Sequence, residues 1–133
     1  MSVAVLYVDR WCNKPYFSRA FLNSMIRHAP GADYEYVHVM KGFERQEPND
    51  PILEYMRDSG RKTHIFHVAD DRPALGVMSD VVQELPHEKV LLFMSWSRIL
   101  APDWLRHYLN AFDTEPGCGM VGASGGYERR NLK

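Results

Sequence analysis

A chain of 133 residues with a formal net charge of −1 is long enough for one domain with a genuine core and too short for two ordinary ones. Its composition, 45% apolar and 25% charged, is that of a globular protein and excludes a disordered or fibrous one. The near-neutral charge balance removes the electrostatic case for nucleic acid or an anionic membrane as partner.

Cys12 and Cys118 are too few for a disulfide framework or a four-thiolate zinc site. Reduced thiols in a cytoplasmic protein are expected, with a single bridge as the alternative. No basic segment precedes the first apolar run, and Val3 to Val8 is far too short for a signal peptide or a membrane span. It reads as a first strand, covered on both faces because it is apolar almost throughout. Asp9-Arg10-Trp11-Cys12-Asn13 is a polar break. Pro15 then opens a helix to about His28, with Phe17, Phe21 and Met25 as its buried stripe, and Pro30-Gly31 stops it. Tyr34 to Met40 is rich in β-branched and aromatic residues and predicts strand two. Lys41 to Asn49 is a polar loop. Asp50-Pro51 starts a short second helix that Gly60 ends.

Thr63 to Val68 predicts strand three, and Ala69 to Pro73 the loop beyond it. Leu75, Met78, Val82 and Leu85, with Val81 beside them, make the apolar face of a third helix closed by Pro86. Val90 to Met94 is an unbroken apolar run, predicting a fourth strand buried on both faces. Ser95-Trp96-Ser97-Arg98 is an abrupt polar patch at its carboxyl end. A fourth helix restarts at Ala101, with Pro102 in its first turn and Trp104, Leu105, Tyr108, Leu109 and Phe112 toward the core. Cys118 to Ala123 predicts a fifth strand of small residues. Ser124 to Lys133 is Gly-rich, then basic, and reads as a flexible tail, so the domain is placed at 1–123.

Strands and helices alternating at this spacing predict an α/β fold, a three-layer α/β/α arrangement about a mostly parallel, doubly wound sheet. In such sheets ligands bind beyond the carboxyl ends of the strands. The candidates there are Asp9 and Arg10 after strand one, Asp70 and Asp71 after strand three, and Ser95, Ser97 and Arg98 after strand four. Each has a plainer reading. Asp9 and Arg10 serve equally as a structural ion pair, Asp70-Asp71 as a loop and N-cap pair, and Arg98 as a solvated charge on a turn. Trp96 reads as a plug at the sheet's end rather than a stacking platform. His64 and His67 are three apart on a strand and point to opposite faces, so they do not share an ion. No Gly-rich phosphate loop, nucleophile elbow or Walker sequence is present, and no metal ligands are assigned.

The order of these elements resembles the amino-terminal, nucleotide-binding half of a GT-A glycosyltransferase, in particular the inverting family-2 type. That family's first strand leads through a short polar turn, often ending Asn-Arg-Pro, into a helix; here the counterpart is Asp9 to Tyr16 (DRWCNKPY). At strand four the family reads roughly apolar-apolar-Phe-Leu-Asp-x-Asp, then a short segment, then Pro-Asp-x-Leu. Here that becomes Leu91 to Ser97 (LLFMSWS), Arg98 to Ala101, and Pro102-Asp103-Trp104-Leu105. Met120 to Ala123 resembles the Val-Gly strand that follows.

The resemblance implies a nucleotide-diphosphate sugar as partner, with Asp9, Arg10, Asp70 and Asp71 toward the nucleoside and Ser95, Ser97 and Arg98 toward the diphosphate. The family's Asp-x-Asp holds a divalent cation, Mn or Mg. Ser95 and Ser97 stand at both carboxylate positions here, and a serine hydroxyl is a poor ligand for a hard cation. Arg98 can instead meet diphosphate charge with its planar fork. The Asp-Asp-Gly-Ser often found after strand two is replaced by Lys41-Gly42. The family's acceptor half, with its catalytic base, should lie beyond strand five, and the sequence reaches Lys133 before it could form. Two functions stay open: a sugar-transferring domain, and a non-catalytic or truncated domain of the same fold acting as a binding module. A response-regulator phosphoacceptor is a distant third, since its acidic cluster and late lysine cannot be placed. A sheet lacking its second half exposes an apolar edge, so self-association as a homo-oligomer is expected.

Overall fold

β1 (Val3–Arg10) is the strand on which the others assemble. In the computed structural model, which describes residues 2–123, every residue of β1 except Arg10 is buried. β2 (Glu35–Lys41) and β4 (Lys89–Phe93) pair with it on either side, and β3 (Thr63–Val68) pairs with β2. The order is β3-β2-β1-β4, and every pairing is parallel. Parallel neighbours need crossovers. Helices α1 (Pro15–Arg27), α2 (Asp50–Ser59) and α3 (Ala74–Glu84) supply them, and α4 (Trp104–Thr114) follows β4. The fold is α/β.

Because side chains alternate along a strand, β1 feeds two separate apolar clusters. Val5 and Tyr7 pack with Phe21, Leu22 and Met25 of α1, Tyr55 of α2, and Trp104 and Leu105 of α4. Ala4, Leu6 and Val8 pack with Val37 and Val39 of β2 and with Val77, Met78 and Val81 of α3.

Several expectations are corrected. Residues 118–123 are irregular, so the fifth strand is not formed there. β4 is consequently an edge of the described sheet, and the expected burial on both faces is not found: its residues are half-buried and Leu92 is exposed. On α3 the stripe is rotated: Val77, Met78 and Val81 are buried while Leu75 is 68% exposed. The helix starts at Ala74, and residues 74, 77, 78 and 81 share a face at helical spacing that Leu75 does not. α2 is capped by Asn49, whose side chain accepts from the Ile52 N–H, one residue before the expected Asp50.

Pro102 lies outside α4. Asp103 adopts a left-handed conformation (φ 60°), and the helix begins at Trp104. Its first N–H groups are met by the chain leaving α1: Asp103 donates to the Ala29 carbonyl (2.7 Å), Leu105 and Arg106 to that of Pro30 (3.1 Å). This tertiary cap satisfies donors that a helix start otherwise leaves open. Gly31 (φ 78°) permits it, since a Cβ there would sit 2.6 Å from the Asp103 carboxylate. The expected tail, 124–133, lies outside the described residues.

Candidate functional site

The sheet order reverses between β1 and β4. From β1 the chain steps outward to β2 and β3, then crosses back to place β4 on the other side. The carboxyl ends of β1 and β4 therefore flank the topological switch point, where open α/β sheets bind ligands.

Ser95 closes this seam. Its hydroxyl donates to the Val8 carbonyl (2.7 Å), and its own carbonyl accepts from the Tyr7 hydroxyl (2.6 Å). The chain then turns, with the Ser97 N–H donating to the Met94 carbonyl (3.0 Å), and re-enters the core at Ile99, whose N–H donates to Ser24 of α1. Trp96 is thrown outward at the top of the turn. It is 76% exposed and stacks on Phe17 of α1 with ring centroids 5.3 Å apart, so it is not the expected plug. Arg98 lies beside it, exposed, donating to the Tyr16 hydroxyl (2.8 Å). The first turn of α1 carries neither an acidic residue nor a side-chain cap, which leaves its positive end at the same mouth.

The acidic candidates are engaged elsewhere. Asp9 is buried on the α1 side, its carboxylate 3.3 Å from His38 Nε2, while His38 Nδ1 lies 2.7 Å from the Tyr36 hydroxyl. Burial pushes the Tyr36 phenol well above its ordinary pKa, so it stays protonated and donates to Nδ1. That leaves Nε2–H to donate to Asp9. On the α3 side, Asp70 gathers three donors: Trp11 Nε1 (2.8 Å), Arg10 Nε (2.9 Å) and Lys41 Nζ (3.2 Å). The Trp11 N–H, then Arg10 and Lys41, hold its carboxyl below the usual range. Gly42 (φ 77°) makes room for this closure, because a Cβ there would lie 2.6 Å from the Trp11 ring and 2.7 Å from Asp70. Asp71 points to solvent, with Arg72 at 3.7 Å.

Arg10 and Asp70 are thus brought together, as are Ser95, Ser97 and Arg98. Asp9 and Asp71 join neither group. A cavity of about 610 Å³ opens between β4 and α4, lined by Leu91, Phe93, Leu105 and Leu109 with Ser97 and Arg98 at one end. A second, of about 480 Å³, lies beyond β2, lined by Met40, Phe43, Arg45 and Pro48. The divalent cation that the resemblance implies does not fit the switch point: the Ser95 hydroxyl is committed to the Val8 carbonyl, and among the described residues the side chains of the Ser95–Arg98 turn bond to no carboxylate.

A further constellation lies at the opposite end of the sheet. Glu35 opens β2, His64 is the second residue of β3, and His87 sits in the loop between α3 and β4. His64 Nε2 and His87 Nε2 lie 2.9 and 2.7 Å from the same oxygen, Glu35 Oε1. His64, followed by His87, holds the Glu35 carboxyl below its usual range. The histidine beside His64 is His87, not His67. The signal was invisible in the sequence, because the partners are 29 and 52 positions from Glu35 and no local spacing joins them.

Comparison with protein-family models found no match, and comparison with curated proteins found none either. Among the described residues, no helix is long and apolar enough to cross a membrane.

Proposed function

We propose that the β1–β4 switch point binds a nucleotide-diphosphate sugar, and that the domain is glycosyltransferase-like, passing the sugar to an acceptor whose hydroxyl is deprotonated by a carboxylate outside the groups described above, while the bond from the sugar's anomeric carbon to the diphosphate breaks and the nucleoside diphosphate leaves. The observation that carries this reading is the Ser95–Arg98 turn, clamped to β1 and holding Arg98, Trp96 and Tyr16 exposed at the place where α/β sheets take nucleotides. Arg98 meets the diphosphate, with Ser97 beside it. Trp11, 57% exposed and fixed through its N–H by Asp70, offers a ring face to the base. Asp70 and Arg10 act through Trp11. The location that fits is cytoplasmic, in keeping with the free thiols Cys12 and Cys118.

Calorimetric titration with UDP and GDP, each with and without manganese, tests it. Binding indifferent to manganese and weakened by Arg98→Ala supports a metal-free diphosphate site. Absence of binding in every condition favours the second reading, a non-catalytic binding module, for which the missing carboxylates at Ser95 and Ser97 already speak. The unpaired edge of β4 in the described sheet, with Leu92 and Met94 exposed, supports self-association. Light scattering at high concentration checks it, and a clean monomer sinks it.

A further inference from the structure

We propose that Glu35, His64 and His87 form a binding site for a divalent transition-metal ion of the zinc class, at the amino-terminal end of the sheet. Three segments distant in sequence deliver one ligand atom each, and the three atoms lie within 4.8 Å of one another. Two imidazole nitrogens and one carboxylate oxygen are the donor set that zinc, cobalt and nickel favour, whereas calcium and magnesium call for oxygens alone. Zinc holds such ligands at about 2.0–2.2 Å, which spaces them roughly 3.3–3.5 Å apart in a tetrahedron. From 2.7 and 2.9 Å the two histidines need retreat from Glu35 by about 0.4–0.8 Å to admit the ion.

The frame around these atoms is rigid on two sides. Glu35 pairs with Ala4 of β1, and His64 pairs with Val37 of β2, so both sit on the parallel ladder at the α3 face. His87 has its side chain only 4% exposed although it belongs to a loop. Its Nδ1 is buried with no hydrogen-bond partner among the described residues, so the single hydrogen bond of this sunken ring is the one aimed at Glu35. A buried imidazole held this way is placed for what Nε2 does. On metal binding each Nε2 gives up its proton, to Nδ1 or to solvent. The carboxylate then binds through Oε1, while Oε2 keeps Lys62 Nζ at 3.9 Å. Glu35 and His64 are partly exposed, which gives the ion an entry path and a water as fourth ligand. A bound ion would pin the α3–β4 loop to β2 and β3.

This site is independent of the switch point, which lies at the other end of the strands. The test uses the whole chain, stripped with a chelator and titrated with Zn2+ by calorimetry and with Co2+ by visible absorption. A single ion per chain is expected, with the strong ligand-field bands of tetrahedral Co2+ and a raised thermal midpoint. Glu35→Gln keeps an acceptor for both histidines, so the fold survives, yet Zn2+ affinity should fall by at least about 10- to 100-fold, a loss that removal of even a supporting contact can produce. His87→Ala should do the same, and His67→Ala on the opposite face of β3 should change nothing. Unaltered Zn2+ binding in folded Glu35→Gln, or no Zn2+ and Co2+ binding by the parent chain, overturns the proposal. UDP and GDP titrations of Glu35→Gln separate the two readings, since nucleotide binding should be unaffected by loss of this site.

Discussion

Against α3 the sheet presents Ala4, Leu6, Val8, Val37 and Val39, met by Val77, Met78 and Val81. Against α1, α2 and α4 it presents Tyr7, Asp9, Tyr36 and His38, met by Phe21, Tyr55 and Trp104. Between the polar groups at its two ends, Asp70 with its donors and Glu35 with its histidines, the buried middle of the first surface is aliphatic and held by area and close packing. The second is aromatic and threaded with directed contacts: Asp9–His38–Tyr36, Tyr34–Tyr55 and Tyr7–Ser95. Aliphatic burial is tolerant of small shifts, whereas a buried hydrogen bond has one geometry and is costly when half made. The strand ends carrying the Ser95 turn are therefore set by the second face, since Tyr7 reaches from that core to the Ser95 carbonyl. The difference teaches where the molecule is stabilised and where it is positioned.

The largest expected effect tests the aliphatic face. Met78 is 1% exposed, so Met78→Ala should lose about 2–5 kcal/mol in urea unfolding, the range for emptying a packed site. A smaller loss would mean that α3 collapses onto the gap. Tyr36→Phe tests the other face. It removes a hydroxyl and leaves His38 Nδ1 buried without a donor, at a cost of about 1–3 kcal/mol. If the faces are independent, the double variant should show the sum to within about 0.5 kcal/mol, because the two side chains lie on opposite sides of the sheet with no shared partner. A larger coupling would break the comparison.

Next in size is an acid effect at the carboxyl end of the strands on the α3 side. Asp70 has its folded pKa depressed below the ordinary 3.8 by Trp11, Arg10 and Lys41. A carboxyl depressed by folding contributes stability that is fully present above its unfolded pKa and lost as pH falls through the folded one. Asp70→Asn should therefore lower stability at neutral pH and flatten its decline below about pH 4. Urea midpoints of both chains across that range decide it, and parallel curves would remove Asp70 as a titrating tie.

The parallel sheet was legible from strands alternating with helices, Val3 to Val8 being apolar almost throughout and Thr63 to Val68 rich in β-branched and aromatic residues. The status of β4 was not legible. Leu91-Leu92-Phe93 reads the same whether a neighbour pairs beyond it or solvent does, and only the irregular course of residues 118–123 tells them apart. Asp9 and Asp70 were found as acidic residues at strand ends, but what each bonds depends on which face its strand position selects. The Glu35, His64 and His87 group required the strand register itself, since the pairing of Val37 with His64 puts Glu35, two residues earlier on the same face, diagonally within reach of His64.

The smallest effect on stability is expected at Arg98, and it is the one that bears most on function. The guanidinium is exposed and its hydrogen bond is to the exposed Tyr16 hydroxyl, so Arg98→Ala should shift unfolding by no more than about 0.5 kcal/mol. A charge-assisted contact to diphosphate is stronger, about 1.5–3 kcal/mol, or roughly 10- to 100-fold in affinity. Lys at this position keeps the charge and loses the fork, so Arg98→Lys should recover only part of the UDP or GDP affinity. Full recovery would reduce Arg98 to a point charge. If Arg98→Ala leaves nucleotide affinity untouched, the diphosphate lies elsewhere, and the cavity beyond β2 with its Arg45 becomes the place to look.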